Sequence, residues 1–218
     1  MPKRSASRIE APFANLDDAA LRELSPRGVP RDFRKNVVVV NEGDETDSLY
    51  VILSGRVKVF ISAEDGKEVV IDTIEPGDYF GELVLDGGPR SASVMTLEPC
   101  RLFVIPRGDV EGLLESNPAF ARDLIRRLIG RVRSLTRKVS DLALRDVYGR
   151  FVRFVEDEAV ERDGERVISE RLTQSDIAAR IGGSREMVSR IVRDLGAGGY
   201  ISIEAKRIRV LKKLPANW

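Results

Sequence analysis

The stretch PGDYFGELVLDGGPRSASV, residues 76–94, gathers the side chains best suited to hold a small anionic ligand. Gly77 and Gly81 let backbone amides approach a bound group closely. Glu82 can accept hydrogen bonds from sugar hydroxyls. Arg90 offers a planar fork matched to a phosphate, and Ser91 adds a donor beside it. Exposed amides at the start of a short turn between Glu82 and Arg90 would contribute to an anion site in this reading. The other reading is an ion pair between Glu82 and Arg90 across a loop, and their spacing alone does not choose between the two.

A second stretch with chemical potential runs from Thr173 to Tyr200. Thr173 is a favoured N-cap type, and Asp176 three residues on completes an approximate capping box. Ile177 and Ile181 lie on one helical face. Gly182 and Gly183 can take the left-handed conformations that end such a helix. Ser184 then caps a second helix that turns Val188, Ile191, Val192 and Leu195 inward and Arg185, Glu186, Ser189, Arg190 and Arg193 outward. Two helices at a sharp angle, the second with a polar and basic outer face, predict a helix-turn-helix that binds DNA. The alternative is a helical hairpin with a solvated face.

These residues need a scaffold. From Val29 to Ile105 short valine- and isoleucine-rich runs recur at 37–40, 49–53, 57–61, 68–74, 92–97 and 101–105, with turns near Gly43, Gly55, Gly66 and Gly77. Many short strands at such spacing predict an antiparallel jelly roll. A short helix at Asp17–Leu24 precedes it, and another runs from Pro106 to Leu114. A long helix starts at Asn117-Pro118, with apolar residues Ala121, Ile125, Leu128, Val132, Leu135, Val139 and Leu142 in steps of four and three. Sustained heptad spacing predicts a two-helix coiled coil, hence a homodimer, with Arg122, Arg126, Arg127, Arg131, Arg133, Arg137 and Lys138 on the wet faces. The alternative is that the seam, or part of it, lies on the chain's own barrel; a helix this long extends past a domain of about 100 residues, which favours the dimer. Gly130 inside this helix costs roughly 1 kcal/mol against alanine.

A further helix over Asp146–Val160, a turn at 161–164 and a strand at 166–172 lead into the helix-turn-helix. Residues 201–211 alternate around Ala205-Lys206 as a basic hairpin wing. The fold class is α+β: a jelly-roll domain (1–116), a dimerisation helix and hinge (117–144) and a winged helix-turn-helix domain (145–218).

Composition narrows the function. The 218 residues carry a net charge of +1, yet from Arg171 onward ten basic residues face four acidic ones, a local net of +6. That asymmetry is what a phosphate-backbone binder requires. The single cysteine, Cys100, excludes an internal disulfide and fits a reducing cytoplasm; it reads as a small buried residue. No apolar run approaches the roughly 20 residues of a membrane span, so no membrane partner is expected. With no histidine to act as a base, no nucleophile–base pair and no metal-ligand cluster, an enzyme is not expected.

Over nearly its whole length the chain resembles the cyclic-AMP receptor protein branch of the Crp–Fnr transcription regulators. FGEL…PRSASV is similar to that family's phosphate-binding cassette, SREMVSRIVRDL to its recognition helix, and VSDLAL-RDVYGR to its hinge. The resemblance implies that Glu82 binds the ribose 2′-hydroxyl and that Arg90 and Ser91 hold a cyclic phosphate with the amides after Gly81. Base contacts would come from the dimer helix, where Leu135-Thr136 stands in place of a usual Thr-Ser pair. Thr136 keeps a hydroxyl, while Leu135 cannot hydrogen-bond adenine. Cyclic AMP is the implied effector, with cyclic GMP a further candidate; relatives that respond to cyclic di-GMP, or to no ligand, mark the alternative. The lone cysteine and absent histidine speak against an iron–sulfur cluster or haem.

On DNA, Arg185, Glu186 and Arg190 would read base edges in inverted TGTGA-like half-sites about one helical turn apart. Thr173, Gln174, Ser184, Ser189 and Lys206 would hold phosphates. The resemblance leaves open whether the 156–166 loop touches RNA polymerase.

Overall fold

The computed structural model describes residues 25–162 and 164–215; the helix expected at Asp17–Leu24 lies outside them. The chain divides into two compact units. One comprises the chain up to Ile61 together with Ile71–Arg131. The other joins Ser62–Val70 to the chain from Val132 onward. The division thus falls inside the long helix, not at either of its ends.

Eight strands make the jelly roll: β1 (Val29–Phe33), β2 (Val38–Val40), β3 (Ser48–Ser54), β4 (Val57–Ser62), β5 (Glu68–Ile74), β6 (Tyr79–Phe80), β7 (Ser93–Thr96) and β8 (Cys100–Pro106). They form two four-stranded sheets, β1-β8-β3-β6 and β2-β7-β4-β5. Strands distant in sequence pair antiparallel, as where Tyr50 opposes Val104 and Val57 opposes Thr96. Inward residues fill two clusters, one around Leu49, Val51, Phe103 and Ile105 and one around Ile52, Val57, Phe80 and Leu102. Cys100 is buried in the second, where burial raises its thiol pKa.

The strand β6 escaped the sequence reading because two residues show no period. It forms because successive side chains point to opposite faces. Tyr79 enters the first cluster and Phe80 the second, where its ring stacks on Tyr50 at 4.8 Å. That double anchor fixes where Gly81 and Glu82 begin. Pairing also makes a strand of β1, whose sequence VPRDF lacks a clean apolar alternation.

Helix α1 (Arg107–Ser116) is followed by α2 (Pro118–Leu144). The Asn117 side-chain oxygen accepts hydrogen bonds from the amides of Ala119 and Phe120, capping α2. The expected seam needs correction. Leu128 packs on the jelly-roll core beside Phe120 and Leu124, and Ala121 is half-buried. The apolar residues left exposed include Ile125, Ile129, Val132 and Val139, the last two 62% and 65% exposed. Thr136 and Ala143, both exposed, fall in the same 4-3-4-3-4 spacing, with Leu135 and Leu142 alongside. Seven-residue periodicity cannot tell a face turned toward the chain's own barrel from one turned outward. A side chain at Gly130 would meet nothing within 4 Å. Gly130→Ala is therefore expected to raise the urea unfolding free energy by roughly 1 kcal/mol, from helix propensity alone.

The second unit carries α3 (Val147–Glu158), β9 (Val160–Arg162), β10 (Glu165–Ile168), α4 (Gln174–Ile181), α5 (Arg185–Ala197), β11 (Ile201–Glu204) and β12 (Arg207–Val210). Asp146 caps α3 by accepting from the Gly149 amide at 2.7 Å. The four strands form one sheet in the order β11-β12-β10-β9. Tyr148, Phe151, Val155, Ile177, Val188, Ile191 and Leu195 close its core. Residues 161–162, expected in a turn, belong instead to β9. All three residues of that strand are exposed, so it had no apolar pattern to read, and its pairing with β10 alone defines it.

The wing turns at Ala205 and Lys206, with φ of 49° and 64°. Both lie in the left-handed region, the geometry of a two-residue hairpin turn that glycine and asparagine favour. Alanine there costs about 1–2 kcal/mol. Ala205→Asn is expected to recover most of that, read as a higher denaturation midpoint. Among the described residues, no helix is long and apolar enough to cross a membrane.

Candidate ligand cassette and nucleic-acid interface

β6 delivers the chain into Gly81, whose φ of 86° is left-handed. A Cβ at Gly81 would stand 2.6 Å from Nη1 of Arg90 and 2.9 Å from the Ser48 carbonyl oxygen. Only glycine fits. A short 3-10 turn, Glu82–Asp86, starts here, and no side chain caps its N-terminus.

Arg90 is 6% exposed. Its Nε donates to Thr46 Oγ1 at 2.5 Å, Nη1 to the Gly81 carbonyl at 2.9 Å and Nη2 to the Ser48 carbonyl at 2.6 Å. Every partner is neutral. Burial lowers the guanidinium pKa, and nearby Tyr50 and Glu82 oppose that shift. A guanidinium has five N–H donors, so with three bonds made, two remain. A buried cation held only by neutral acceptors is an incomplete electrostatic arrangement that an anion completes.

The ion pair between Glu82 and Arg90, one of the two sequence readings, does not form. Glu82 pairs instead with Arg131 of α2, whose guanidinium also donates to the Tyr79 carbonyl. Burial would lower the Arg131 pKa, but the Glu82 carboxylate overrides it and raises it. One turn earlier, Arg127 reaches Asp78 at 2.9 Å and Asp123 at 2.7 Å, its side chain 9% exposed. Both arginines stand over the Tyr79 ring, at 5.5 and 5.6 Å from its centre to the guanidinium carbons. Burial pushes the Tyr79 phenol pKa far up, so it is neutral at any working pH.

Arg127 and Arg131 are therefore not on a wet face, which corrects the sequence reading. Their i, i+4 spacing with Leu124 and Leu128 on the same side was the available signal. Residue type alone does not separate an arginine that pairs inward from one that faces water. Thr46 and Ser48 were also missed, since nothing local in TDS marks an arginine's acceptors.

Gly81, Glu82, Leu83, Arg90 and Ser91 thus come from one unit, with Leu83 and Ser91 exposed. Leu135 and Thr136 belong to the other. Both are exposed, and the Thr136 hydroxyl donates to the Val132 carbonyl one turn back at 2.9 Å.

In the second unit Thr173 and Asp176 form a reciprocal capping box at the start of α4. Gly182 ends that helix at φ 64°; Gly183, expected to share the left-handed conformation, does not. Ser184 Oγ accepts from the Met187 amide and caps α5. Arg185, Glu186 and Arg190 are exposed on α5 and make no ion pair among the described residues. The contrast is with Arg180, held by Glu170 at 2.8 Å, and Arg209, held by Glu165 at 3.0 Å. Arg185, Glu186 and Arg190 thus keep their charges for an outside partner, on the face that a major groove would meet.

Ser189 and Gln174 are half-buried and Lys206 is exposed. Thr173 is less available than expected. Its hydroxyl donates to Asp176 and accepts from the Asp176 amide, so capping uses both its capacities. Ser184 keeps its hydroxyl proton for a phosphate.

Comparison with known proteins matches both parts. Residues 30–117 fit the cyclic nucleotide-binding domain family, and residues 149–214 the Crp-like helix-turn-helix domain. The chain is 31% identical over 203 residues to the CRP-like cAMP-activated global transcriptional regulator of Mycobacterium tuberculosis, covering 91% of each. It is 32% identical over 180 residues to the cAMP-activated global transcriptional regulator CRP of Pasteurella multocida, covering 79% of this chain and 85% of the relative. Among solved structures, the c-di-GMP responsive global regulator CLP of Xanthomonas campestris superposes with a TM-score of 0.77 at 26% identity, over 88% of this chain and 97% of that one. The cyclic nucleotide-binding and Crp-like helix-turn-helix matches, with relatives 31% and 32% identical over most of the chain, place it in the Crp/Fnr family of DNA-binding transcription regulators.

Proposed function

We propose that this protein is a homodimeric regulator, itself no enzyme, that reads inverted TGTGA-like half-sites in cytoplasmic double-stranded DNA when cyclic AMP is bound. The observation that carries the ligand half is Arg90, buried with only neutral partners. A cyclic phosphate supplies the missing charge. It takes the two spare N–H donors of Arg90, the Ser91 hydroxyl and the amides of Glu82 and Leu83 that follow Gly81. Glu82, oriented by Arg131, keeps lone pairs for a ribose hydroxyl.

The exposed 4-3-4-3-4 stripe of α2 supports dimerisation, because a second copy of the same stripe covers it. Thr136 falls within that stripe, where a base could be met from the partner. A twofold dimer then presents two α5 helices to successive major grooves. Ligand shifts the balance between binding-competent and incompetent arrangements only by its differential affinity for the two.

Leu135, which offers a base no hydrogen bond, favours a second reading in which cyclic di-GMP is the effector, as its name says for the relative CLP. Calorimetry with cyclic AMP, cyclic GMP and cyclic di-GMP, followed by operator titration and sedimentation, tests the proposal. Heat only with cyclic AMP, with tighter operator binding by a dimer, is the expected result. A monomer at all concentrations, or no response to cyclic AMP, refutes it.

A further inference from the structure

Arg150 lies on the first turn of α3. Its guanidinium makes three hydrogen bonds, each to a backbone carbonyl. Nε donates to Ile181 at 2.6 Å and Nη2 to Gly182 at 3.2 Å, the carbonyls that end α4. Nη1 donates to the carbonyl of Arg145 at 2.8 Å, in the junction between α2 and α3. One planar, rigid group therefore joins the turn of the helix-turn-helix to the end of the long helix.

Two packing contacts reinforce that join. A Cβ at Gly182 would stand 2.9 Å from Cδ2 of Leu142, so the last turns of α2 lie against the bare backbone of the turn. A Cβ at Gly183 would stand 3.0 Å from Cγ1 of Val147. On the junction side, Arg145 is tied back to Asp141 through side chain and backbone. The orphan carbonyls at a helix C-terminus need donors, and a cation there is favoured by the helix dipole. A serine could supply a donor to one carbonyl and a water to two; the planar guanidinium spreads its donors over three nitrogens and here serves three carbonyls at once.

We propose that Arg150 is a positioning residue for DNA reading: it makes the α2–α3 junction and the helix-turn-helix turn one rigid piece, so that displacement of the last turn of α2 is carried to Arg185, Glu186 and Arg190 without loss. This rests on the DNA-reading function proposed above. The flexible point for moving the DNA reader then lies N-terminal to Leu142 within α2, not at residues 145–147, because those residues are held.

The test places spin labels at Leu144→Cys and Ala197→Cys, both exposed, in the full-length protein diluted with unlabelled chains. Cys100 is buried and takes no label. The distance between labels is compared in the parent, Arg150→Gln and Arg150→Lys. Lysine keeps the charge but is a point donor and cannot bridge three carbonyls. Operator binding is measured on a duplex with inverted TGTGA half-sites, and nucleotide binding by calorimetry.

The expected result is a single narrow distance in the parent that broadens in both variants. Operator affinity falls about tenfold, the order of one lost charge-assisted hydrogen bond, with nucleotide affinity unchanged. Narrow distances in both variants overturn the proposal, even if DNA affinity drops, since Arg150 would then act otherwise. Broadening with operator affinity kept within twofold overturns it too. If Arg150→Gln fails to fold, Arg150→Lys decides. A parent that binds no operator defeats the DNA-reading function, while the distance measurement still decides whether Arg150 makes one rigid piece.

Discussion

Arg90→Ala is expected to abolish the proposed stimulation of operator binding by nucleotide, with self-association in sedimentation unchanged. The two spare donors of Arg90 would face a charged phosphate, and hydrogen bonds to charged groups contribute about 1.5–3 kcal/mol each. Their loss is expected to weaken nucleotide binding by roughly two to four orders of magnitude, at 1.4 kcal/mol per factor of ten. Alanine also leaves the carbonyls of Gly81 and Ser48 without their donor, at about 1–3 kcal/mol each. A drop in stability accompanies the loss of response. Arg90→Gln separates the two effects, since an amide can still donate to one of those carbonyls but carries no charge. A Gln variant with near-parental stability and no calorimetric heat supports the anion site. Parental nucleotide affinity in the Gln variant removes it.

Arg190→Ala is expected to relax the operator preference at one guanine in each half-site. The helix that carries Arg190 is secured independently of it, by Val188 and Leu195 fully buried and by the Ser184 cap. The substitution therefore leaves folding stability within about 0.5 kcal/mol. An arginine bonded to guanine O6 and N7 discriminates by about 1–3 kcal/mol, so base-substituted duplexes should lose roughly 5- to 150-fold of their spread at that position. A phosphate contact would behave differently, weakening all duplexes alike and flattening the salt dependence. That second pattern would reassign Arg190 from base reading to register.

The two halves of the chain were legible to different degrees. The helix-turn-helix is local chemistry: cap, apolar face, glycine, cap, apolar face, all within 28 residues. Each of those signals acts over three or four residues, so the chain states them in order. Glu82 and Arg90 were legible as residue types and as a family pattern, but not as a geometry. Apart from the Gly81 carbonyl, their partners are 40 or more residues away in the chain, at Thr46, Ser48 and Arg131, and no local rule reaches so far.

Long-range pairing decided the rest. Short strands such as β6 and β9 exist because a neighbour supplies their hydrogen bonds, not because of their own pattern. In α2 the heptad spacing fixed a helix with an apolar seam, yet a seven-residue repeat is the same whichever surface covers it. Only the folded chain assigns Leu124, Leu128, Arg127 and Arg131 to the jelly roll and leaves Val132 and Val139 outside. The sequence by itself determined which elements form and which side chains could meet a phosphate or a base, because those follow from local periodicity, capping and residue chemistry. Tertiary structure alone decided which charges are already neutralised by an ion pair and which, at Arg90, Arg185 and Arg190 among the described residues, are not, because neutralisation depends on distances between residues far apart in the chain.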